Sequence, residues 1–284
     1  MTTTNDTQNW TLKNYHQALS EGWVDASCFY KQHVAQAKEL DQQLYLFASL
    51  EERVIDLQVD HLKMTKSKGE PLGRLFGVPI SVKDIFDTID FPTCYGSPIH
   101  DGRYSIGDAV VVRRLRDQGA VIYGKTVTTE LATMTPAATR NPHNPEHTPG
   151  GSSSGSAAAV AAGVVPVALG SQTNGSVIRP ASYCGVYAFK PSMGELPRSG
   201  MLEQSTSLDQ IGLFARSIED LAMVGEIMSG DDGEDRASQG KSPRQWLRVA
   251  TSQPPLPPKF CFVRTPWWDR MEPEAQEACN AFVE

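Results

Sequence analysis

The stretch from Gly150 to Pro191, GGSSSGSAAAVAAGVVPVALGSQTNGSVIRPASYCGVYAFKP, decides how this chain folds. It contains one cluster of serine and glycine at 150–155 and a second at 171–176, separated by an alanine-rich run. Of the 14 residues 150–163, 13 are glycine, alanine or serine, so other backbone segments can approach them closely. We predict a small-residue helix over 154–163 and a strand over 164–169 between the two clusters.

A lysine follows an apolar, partly β-branched segment far upstream of this stretch. Leu75–Val82 has the composition of a buried strand, and Lys83 comes directly after it. A lysine at the end of a strand is usually solvated. A serine nucleophile, however, needs a base to take its proton, and a lysine whose pKa of ~10.4 is lowered by burial can be that base.

The second cluster offers backbone donors beside a serine. Asn174, Gly175 and Ser176 present consecutive N–H groups in a turn, and such groups can hold the oxyanion of a tetrahedral intermediate. The same residues also fit a tight turn beside a small-residue helix. The residues by themselves therefore leave two interpretations open: a serine hydrolase acting on amides with Lys83 as its base, and a purely structural turn.

Two further motifs match known patterns only in their letters. Residues 119–126 match the phosphate-loop pattern G-x-x-x-x-G-K-[ST], but 120–123 is an apolar strand where a phosphate loop needs an open loop. Residues 151–155 match the nucleophile elbow G-x-S-x-G, which requires a histidine after the serine. The last histidine of the chain is His147, so the usual order of that triad is excluded.

Composition and charge exclude several classes of protein. The net charge of −7 disfavours nucleic acid as a partner. The first ten residues lack a basic and apolar leader, and the longest apolar run, 157–170, is too short to span a bilayer. The five cysteines are widely spaced, and the six histidines lack the spacing of metal ligands. We therefore expect a cytoplasmic protein without a membrane segment, metal or cofactor.

Predicted strands alternate with predicted helices, which favours a layered α/β/α fold around a central mixed sheet. The regions that we expect are an N-terminal helical region over 1–70, a core over 71–230, a flexible loop or linker over 231–258 and the start of a C-terminal region over 259–284. In that last region we predict a strand over 260–263 and a helix over 272–284. Because the helix has no stop signal at its end, we expect the rest of a longer domain to be missing.

The chain resembles the amidase signature family from about residue 44 to about residue 228. The motifs that carry the resemblance are PGGSSSGS at 149–156, GSQTNGSVIRP at 170–180, Cys184-Gly185 and Lys190-Pro191. The resemblance implies the amidase signature fold, incomplete at the C-terminus, and a Ser-cisSer-Lys triad. Mapped by motif, Ser176 is the nucleophile, Ser152 is the bridging serine on a cis peptide bond, and Lys83 is the base. The N–H groups that then form the oxyanion hole are those of Thr173, Asn174, Gly175 and Ser176.

Within this family, the details are most similar to malonamidase-like amidases. The shared features are three serines at 152–154, Gln172 where many members have aspartate, and SVIRP at 176–180. The resemblance implies that Arg179 binds a substrate carboxylate and that Ser154 and Ser171 hydrogen-bond behind the catalytic residues. The alternative for Arg179 is a structural salt bridge or a contact at a helix end. Asn174 replaces the first glycine of the usual Gly-Gly-Ser. If that position needs a positive φ, asparagine is a well-tolerated substitute.

The resemblance implies a hydrolase that cleaves the C–N bond of a small amide, with a carboxylate-bearing, malonamate-like substrate, through an acyl-enzyme. One alternative is the catalytic A subunit of a glutamyl-tRNA amidotransferase, whose arginine lies two residues after the nucleophile, where this chain has Ile178. Another is a catalytically silent amidase-like fragment that acts as a binding or assembly module. We expect a small-molecule amide as the partner and leave homodimer formation open.

Overall fold

A six-stranded mixed sheet forms the centre of the computed structural model, which describes residues 9–254 and 256–283. In chain order the strands are β1 (Phe47–Ser49), β2 (Pro79–Lys83), β3 (Val121–Thr126), β4 (Val167–Gln172), β5 (Tyr187–Phe189) and β6 (Gln210–Ala215). Their order across the sheet is β1-β3-β2-β4-β6-β5. Strands β3, β2 and β4 are parallel, whereas β1, β6 and β5 pair antiparallel with β3, β4 and β6. The predicted α/β fold around a mixed sheet is confirmed.

Helices cover both faces of the central strands. Over the described residues of both units, the helices in chain order are α1 (Leu12–Ser20), α2 (Ala26–Leu44), α3 (Glu52–Ser67), α4 (Val110–Asp117), α5 (Ser154–Ala161), α6 (Ile178–Cys184), α7 (Ile218–Met228), α8 (Trp246–Ala250) and α9 (Pro273–Val283), of which α9 does not belong to the unit that contains the sheet. Helix α5 contacts β2, β3, β4 and β6, while α7 contacts β5 and β6. Every residue of β2 and β3 is buried, as expected for parallel strands that are covered on both sides.

The alanine-rich helix α5 lies close to the sheet because its residues are small. A Cβ atom added to Gly155 would lie 2.2 Å from the Leu46 carbonyl oxygen and 2.5 Å from the Val127 nitrogen, so a larger residue does not fit. The predicted helix is confirmed, but the strand that follows it begins at Val167 and not at 164. Pro166 has no N–H group to donate to a neighbouring strand, which explains the later start.

The topology brings the two serine clusters and Lys83 to one edge of the sheet. Strands β2 and β4 are adjacent and parallel, with Val82 opposite Leu169, so their carboxyl ends lie side by side. Lys83 is the last residue of β2, and the turn 173–177 connects β4 to α6. The carboxyl edge of a parallel sheet is where α/β proteins commonly build their sites.

Ion pairs and hydrogen bonds hold the segment that follows α7. Arg198 contacts Asp235 at 2.9 Å, and Arg244 pairs with Glu195. The Arg114 guanidinium donates to the carbonyl oxygens of Met228, Ser229 and Gly230 at 2.7–3.0 Å. Helix α8 then packs against α7. These contacts belong to a first compact unit that ends at Ala250, and a second unit begins at Thr251.

The second unit contains helix α9 but lacks the predicted strand. The helix prediction over 272–284 is confirmed for Pro273–Val283. The strand prediction over 260–263 is wrong, because these residues form exposed coil and Phe260 is 91% exposed. A short apolar run becomes a strand only where a neighbouring strand accepts its hydrogen bonds, and none of the described residues pairs with this run.

The sequence argued against a phosphate loop at 119–126 and against a membrane-spanning segment, and the fold bears on both. The second glycine of the phosphate-loop pattern, Gly124, lies inside strand β3 together with Lys125 and Thr126. Lys125 is fully buried, so the pattern does not form a phosphate loop. Across the described ranges 9–254 and 256–283, we find no helix that is long and apolar enough to cross a membrane.

Candidate active site

Lys83 is a fully buried lysine surrounded by hydroxyl groups. Its Nζ atom donates hydrogen bonds to Ser152 Oγ at 2.8 Å and to Ser171 Oγ at 2.9 Å. Burial lowers the pKa of Lys83 from 10.5 to about 7, and the negative charge of Asp209 opposes this shift. At neutral pH a large fraction of Lys83 is therefore uncharged and able to accept a proton.

Ser152 lies directly after a cis peptide bond. The bond between Gly151 and Ser152 is cis, although neither residue is a proline. Helix α5 begins two residues later, and its first residue, Ser154, donates from its hydroxyl to the Gly150 carbonyl oxygen at 2.7 Å. The Ser152 hydroxyl lies within hydrogen-bond distance of Lys83 and can exchange a proton with it.

Ser176 lies in the turn between β4 and α6 and is 6% exposed. The side chain of Gln172, the last residue of β4, accepts hydrogen bonds from the N–H groups of Val177 and Ile178 at 3.0 and 3.1 Å. Gln172 thereby fixes the turn at the start of α6. Within the described chain, no hydrogen bond joins the hydroxyls of Ser176 and Ser152. Contacts of this kind are often long before a substrate binds.

The turn that carries Ser176 has unpaired backbone donors. The N–H groups of Thr173, Asn174, Gly175 and Ser176 make no hydrogen bond to any described residue. Gly175 has a φ of 132°, a conformation that favours glycine, whereas Asn174 does not have a positive φ. The exchange of glycine for asparagine at 174 therefore causes no backbone strain. Unpaired donors beside a serine suit the binding of a developing oxyanion.

The neighbouring serines have different positions with respect to Lys83. Ser171 contacts Lys83 directly, whereas Ser154 contacts the Gly150 carbonyl oxygen. Ser153, the central serine of the elbow-like pattern, is fully buried and donates to the Ser171 carbonyl oxygen at 3.2 Å. Its hydroxyl also accepts from the Ser171 N–H group at 3.3 Å. Ser153 thus fixes the backbone of β4 beside the lysine, a role that the sequence did not reveal.

Arg179 connects the two serine clusters. Its Nε and Nη2 atoms donate to the Gly151 carbonyl oxygen at 3.0 and 2.8 Å, next to the cis peptide bond. An added Cβ atom on Gly175 would lie 3.6 Å from Nη1, so the guanidinium extends beneath the turn that carries Ser176. Among the described residues Arg179 has no acidic partner within 4.0 Å, which removes the structural salt bridge as its explanation there. Its contact with the Gly151 carbonyl oxygen, three residues before α5, is of the kind expected for a helix-end contact.

One acidic residue near the site escaped sequence reasoning. Asp209 is buried, precedes strand β6, and accepts a hydrogen bond from the Thr173 hydroxyl at 2.5 Å. Strand β6 pairs with β4 from Gln172↔Gln210 onward, and this pairing brings Asp209 to the edge of the sheet that carries Lys83. Only the long-range pairing reveals Asp209, since nothing in its local sequence distinguishes it. No group of three or more potential metal ligands occurs in the part of the chain that the structure describes.

The fold and this arrangement of serines and lysine define the class of protein. The model of the family described as "Amidase" matches residues 30–284, and the chain belongs to this family.

Two solved structures share the fold. The first belongs to a vestigial protein complex described as revealing the evolutionary origins of an s-triazine catabolic enzyme, with a TM-score of 0.80 and 33% identity, covering 84% of this chain and 54% of that one. The second is the native peptide amidase from Stenotrophomonas maltophilia, with a TM-score of 0.77 and 31% identity, covering 84% and 52%.

The curated relatives of this chain include A subunits of glutamyl-tRNA(Gln) amidotransferase. The chain is 38% identical over 246 residues to the A subunit of glutamyl-tRNA(Gln) amidotransferase from Halalkalibacterium halodurans, which is 84% of this chain and 51% of that protein. The chain thus spans about half the length of the curated relatives that it matches. These relatives belong to amidotransferases, so the similarity to malonamidase-like amidases remains a prediction from the motifs.

Proposed function

We propose that this chain carries the catalytic site of an amidase that hydrolyses the C–N bond of a small, carboxylate-bearing amide. The observation that carries the proposal is the buried Lys83, which is hydrogen-bonded to Ser152 at the cis peptide bond and has a pKa lowered by burial to about 7. A lysine in this condition can act as a general base at neutral pH.

In the proposed acylation step, the proton of Ser176 moves to Ser152 while the Ser152 proton moves to neutral Lys83. The Ser176 oxygen attacks the amide carbon, and the unpaired N–H groups of residues 173–176 hold the oxyanion. Lys83 returns its proton through Ser152 to the leaving nitrogen as the C–N bond breaks. Water then attacks the acyl-enzyme while its proton passes through Ser152 to Lys83. That proton returns through Ser152 to the Ser176 oxygen as the acyl–oxygen bond breaks, so the carboxylic acid is released and Ser176 is regenerated.

The preference for a carboxylate-bearing substrate rests on Arg179. This guanidinium lies beside the turn of Ser176, and it has no acidic partner within the described chain that would neutralise it. An arginine can bind a carboxylate through its planar set of donors. Because Nε and Nη2 are held by Gly151, Nη1 is the donor that we assign to the substrate.

The direct test is chemical labelling together with ammonia release. A fluorophosphonate should label Ser176, and Ser176→Ala should abolish the labelling, whereas Ser207→Ala at an exposed serine should not. Malonamate should release ammonia faster than neutral propionamide, and Arg179→Gln should reduce this difference. Labelling at another residue of the folded chain would contradict the proposed nucleophile. Equal rates on the two amides would contradict the role of Arg179.

A second candidate is supported by the curated relatives, which are A subunits of glutamyl-tRNA(Gln) amidotransferases. On this hypothesis we expect glutamine to serve as the amide and turnover to rise when partner subunits are added. Ile178 lies two residues after Ser176, where those relatives are expected to have arginine, and this difference favours the amidase. Ammonia release from glutamine with and without added partner proteins separates the two candidates. A folded chain without turnover on either substrate would instead indicate a catalytically silent binding or assembly module.

A further inference from the structure

We propose that Asp209 is a positioning residue of this site, which holds the turn of Ser176 through Thr173 and stabilises Lys83 when Lys83 has accepted a proton. This inference rests on the proposed function, because it assigns a role within the same proton transfer. It concerns a residue that lies outside the serine clusters and outside the strand of Lys83.

The carboxylate of Asp209 is fixed at both oxygens. Oδ2 accepts hydrogen bonds from the N–H groups of Gln204 and Ser205 at 2.7 and 2.9 Å. Oδ1 accepts from the Thr173 hydroxyl at 2.5 Å, and Asp209 is 3% exposed. Its own N–H group donates to the Ser205 carbonyl oxygen at 3.0 Å. A carboxylate held in this way has little freedom to move during a reaction.

Thr173 transmits this order to the reacting groups. It is the first residue of the turn 173–177, and the N–H groups of residues 173–176 have no acceptor among the described residues. Unpaired donors act on an oxyanion only if their directions are fixed before the charge develops. The Thr173 hydroxyl, hydrogen-bonded to Asp209 and 2.9 Å from Gln204 Oε1, fixes the turn at its first residue.

The charge of Asp209 acts on Lys83 as well. Ser152 and Ser171, the groups that contact Lys83 Nζ, are neutral hydroxyls from the first serine cluster and from β4. Asp84, the next residue along the chain, is paired with Lys125. The pairing of β4 with β6 places Gln210 opposite Gln172, the residue after Ser171, so Asp209 lies at the same edge of the sheet as Lys83. Its negative charge there opposes the lowering of the Lys83 pKa by burial.

Asp209 should accelerate the reaction because the positive charge on Lys83 forms only during proton transfer. Neutral Lys83 gains little from a nearby carboxylate, but the ammonium formed during proton transfer gains a favourable interaction in a low-dielectric surrounding. Interactions that are stronger in the transition state than in the ground state accelerate a reaction. Asp209 thereby makes Lys83 a stronger base without contacting the substrate.

The test compares Asp209→Asn with Asp220→Asn, which changes a second buried aspartate that accepts from the Leu12 N–H group. Lysine labelled with ¹³C at Cε reports the titration of Lys83 by NMR, with the signal assigned by Lys83→Arg. We expect the Lys83 midpoint to fall by about one pH unit in Asp209→Asn and to stay unchanged in Asp220→Asn. An unchanged midpoint in Asp209→Asn would overturn the electrostatic half of the proposal.

The rate of substrate hydrolysis against pH tests the remaining half. In Asp209→Asn, the rise of kcat/KM with pH should shift to lower pH, because Lys83 loses its proton there, and the plateau of kcat/KM should fall about 10- to 100-fold. Thr173→Val removes the hydroxyl but keeps the carboxylate. In that variant the plateau of kcat/KM should fall, while the pH at which kcat/KM rises should stay the same. A Thr173→Val plateau equal to that of the wild type would overturn the positioning half. Should Asp209→Asn fail to fold, Asp209→Ser gives the same loss of charge.

The NMR titration separates this inference from the proposed function, because it needs no turnover. A wild-type chain without turnover whose Lys83 midpoint still depends on Asp209 would contradict the amidase and support the electrostatic half of the inference. Turnover with identical midpoints in wild type and Asp209→Asn would support the amidase and contradict the inference.

Discussion

Two buried lysines on adjacent strands of this sheet have opposite environments. Lys83 ends β2 and contacts two serine hydroxyls, whereas Lys125 on β3 lies 3.4 Å from Asp84 and donates to Thr93 and to the carbonyl oxygens of Phe86 and Pro92. The register pairs Lys125 with Val82, so the two lysine side chains lie on opposite faces of the sheet.

On the proposed function, this difference separates a lysine that holds the structure, Lys125, from a lysine that takes part in the reaction, Lys83. Burial lowers the pKa of Lys125 to about 8 although Asp84 opposes the shift, and burial also raises the pKa of Asp84. Desolvation thus opposes the charged forms of both partners, while their contact connects β3 to the loop 84–97. Lys83 has no such carboxylate contact, and its pKa falls further, to about 7.

The largest expected effect is the loss of activity in Lys83→Ala. Removal of the base should reduce kcat/KM for ammonia release by about 10³- to 10⁴-fold, because Ser176 then has no group to take its proton. Lys38→Ala, at an exposed lysine, is the matched control and should retain full activity. Retention of more than a tenth of the wild-type rate in Lys83→Ala would contradict the role of Lys83 as the base.

The next largest effect is a loss of stability when Lys125, the lysine paired with Asp84, is replaced. Lys125→Met should lower the free energy of unfolding by about 3–5 kcal/mol in urea titrations, because Asp84 is left buried without its counter-charge. The double variant Asp84→Asn/Lys125→Met should recover part of this loss. If the double variant is no more stable than Lys125→Met, the unpaired carboxylate is not the cause.

Replacement of Lys83 should have a smaller effect on stability than replacement of Lys125, and it should stabilise the protein. Lys83→Met should raise the free energy of unfolding by about 1–3 kcal/mol at pH 7, because an uncharged side chain replaces a lysine that burial must neutralise. The folded pKa of about 7 lies below the ordinary value of 10.5, so the unfolded chain binds more protons between these values. Wild-type stability therefore rises with pH across this window, and the advantage of Lys83→Met disappears towards pH 10.5.

Urea titrations at several pH values measure this difference between the two chains. A Lys83→Met advantage that stays constant between neutral pH and the ordinary lysine pKa would show that Lys83 does not titrate in this window. Lys125→Met provides the contrasting case, since its loss of stability arises from Asp84 and not from relief of a buried base.

The features that local patterns could predict are those fixed by neighbours along the chain. Helix α7 is one of them, because Ser217 accepts from the Asp220 N–H group at 3.1 Å and caps the helix as its sequence indicates. The small residues of α5 are another, since their size alone requires a close approach. On α3, apolar residues do not reliably mark the buried face of the helix, because Leu57 is 63% exposed and Met64 is 54% exposed.

The features that the sequence did not reveal depend on pairing between distant segments. Strand β6 has few local signals, yet its antiparallel pairing with β4 brings Asp209 to the site. The two lysines illustrate the same limit. Both follow or lie within apolar strands, and only the register decides that Lys125 lies near Asp84 while Lys83 meets the serines.

The smallest expected effects come from removing one hydroxyl that contacts Lys83 and one that contacts Lys125. Ser171→Ala removes one of the two hydrogen bonds of Lys83 Nζ and should lower kcat/KM about five- to tenfold, the equivalent of a single hydrogen bond of about 1 kcal/mol. Thr93→Val removes the hydroxyl that accepts from Lys125 at 2.6 Å and should lower the free energy of unfolding by about 1–2 kcal/mol without changing kcat/KM. A larger loss of activity in Thr93→Val than in Ser171→Ala would show that the Lys125 network acts on the reaction. In that case the division between a structural and a chemical lysine would have to be abandoned.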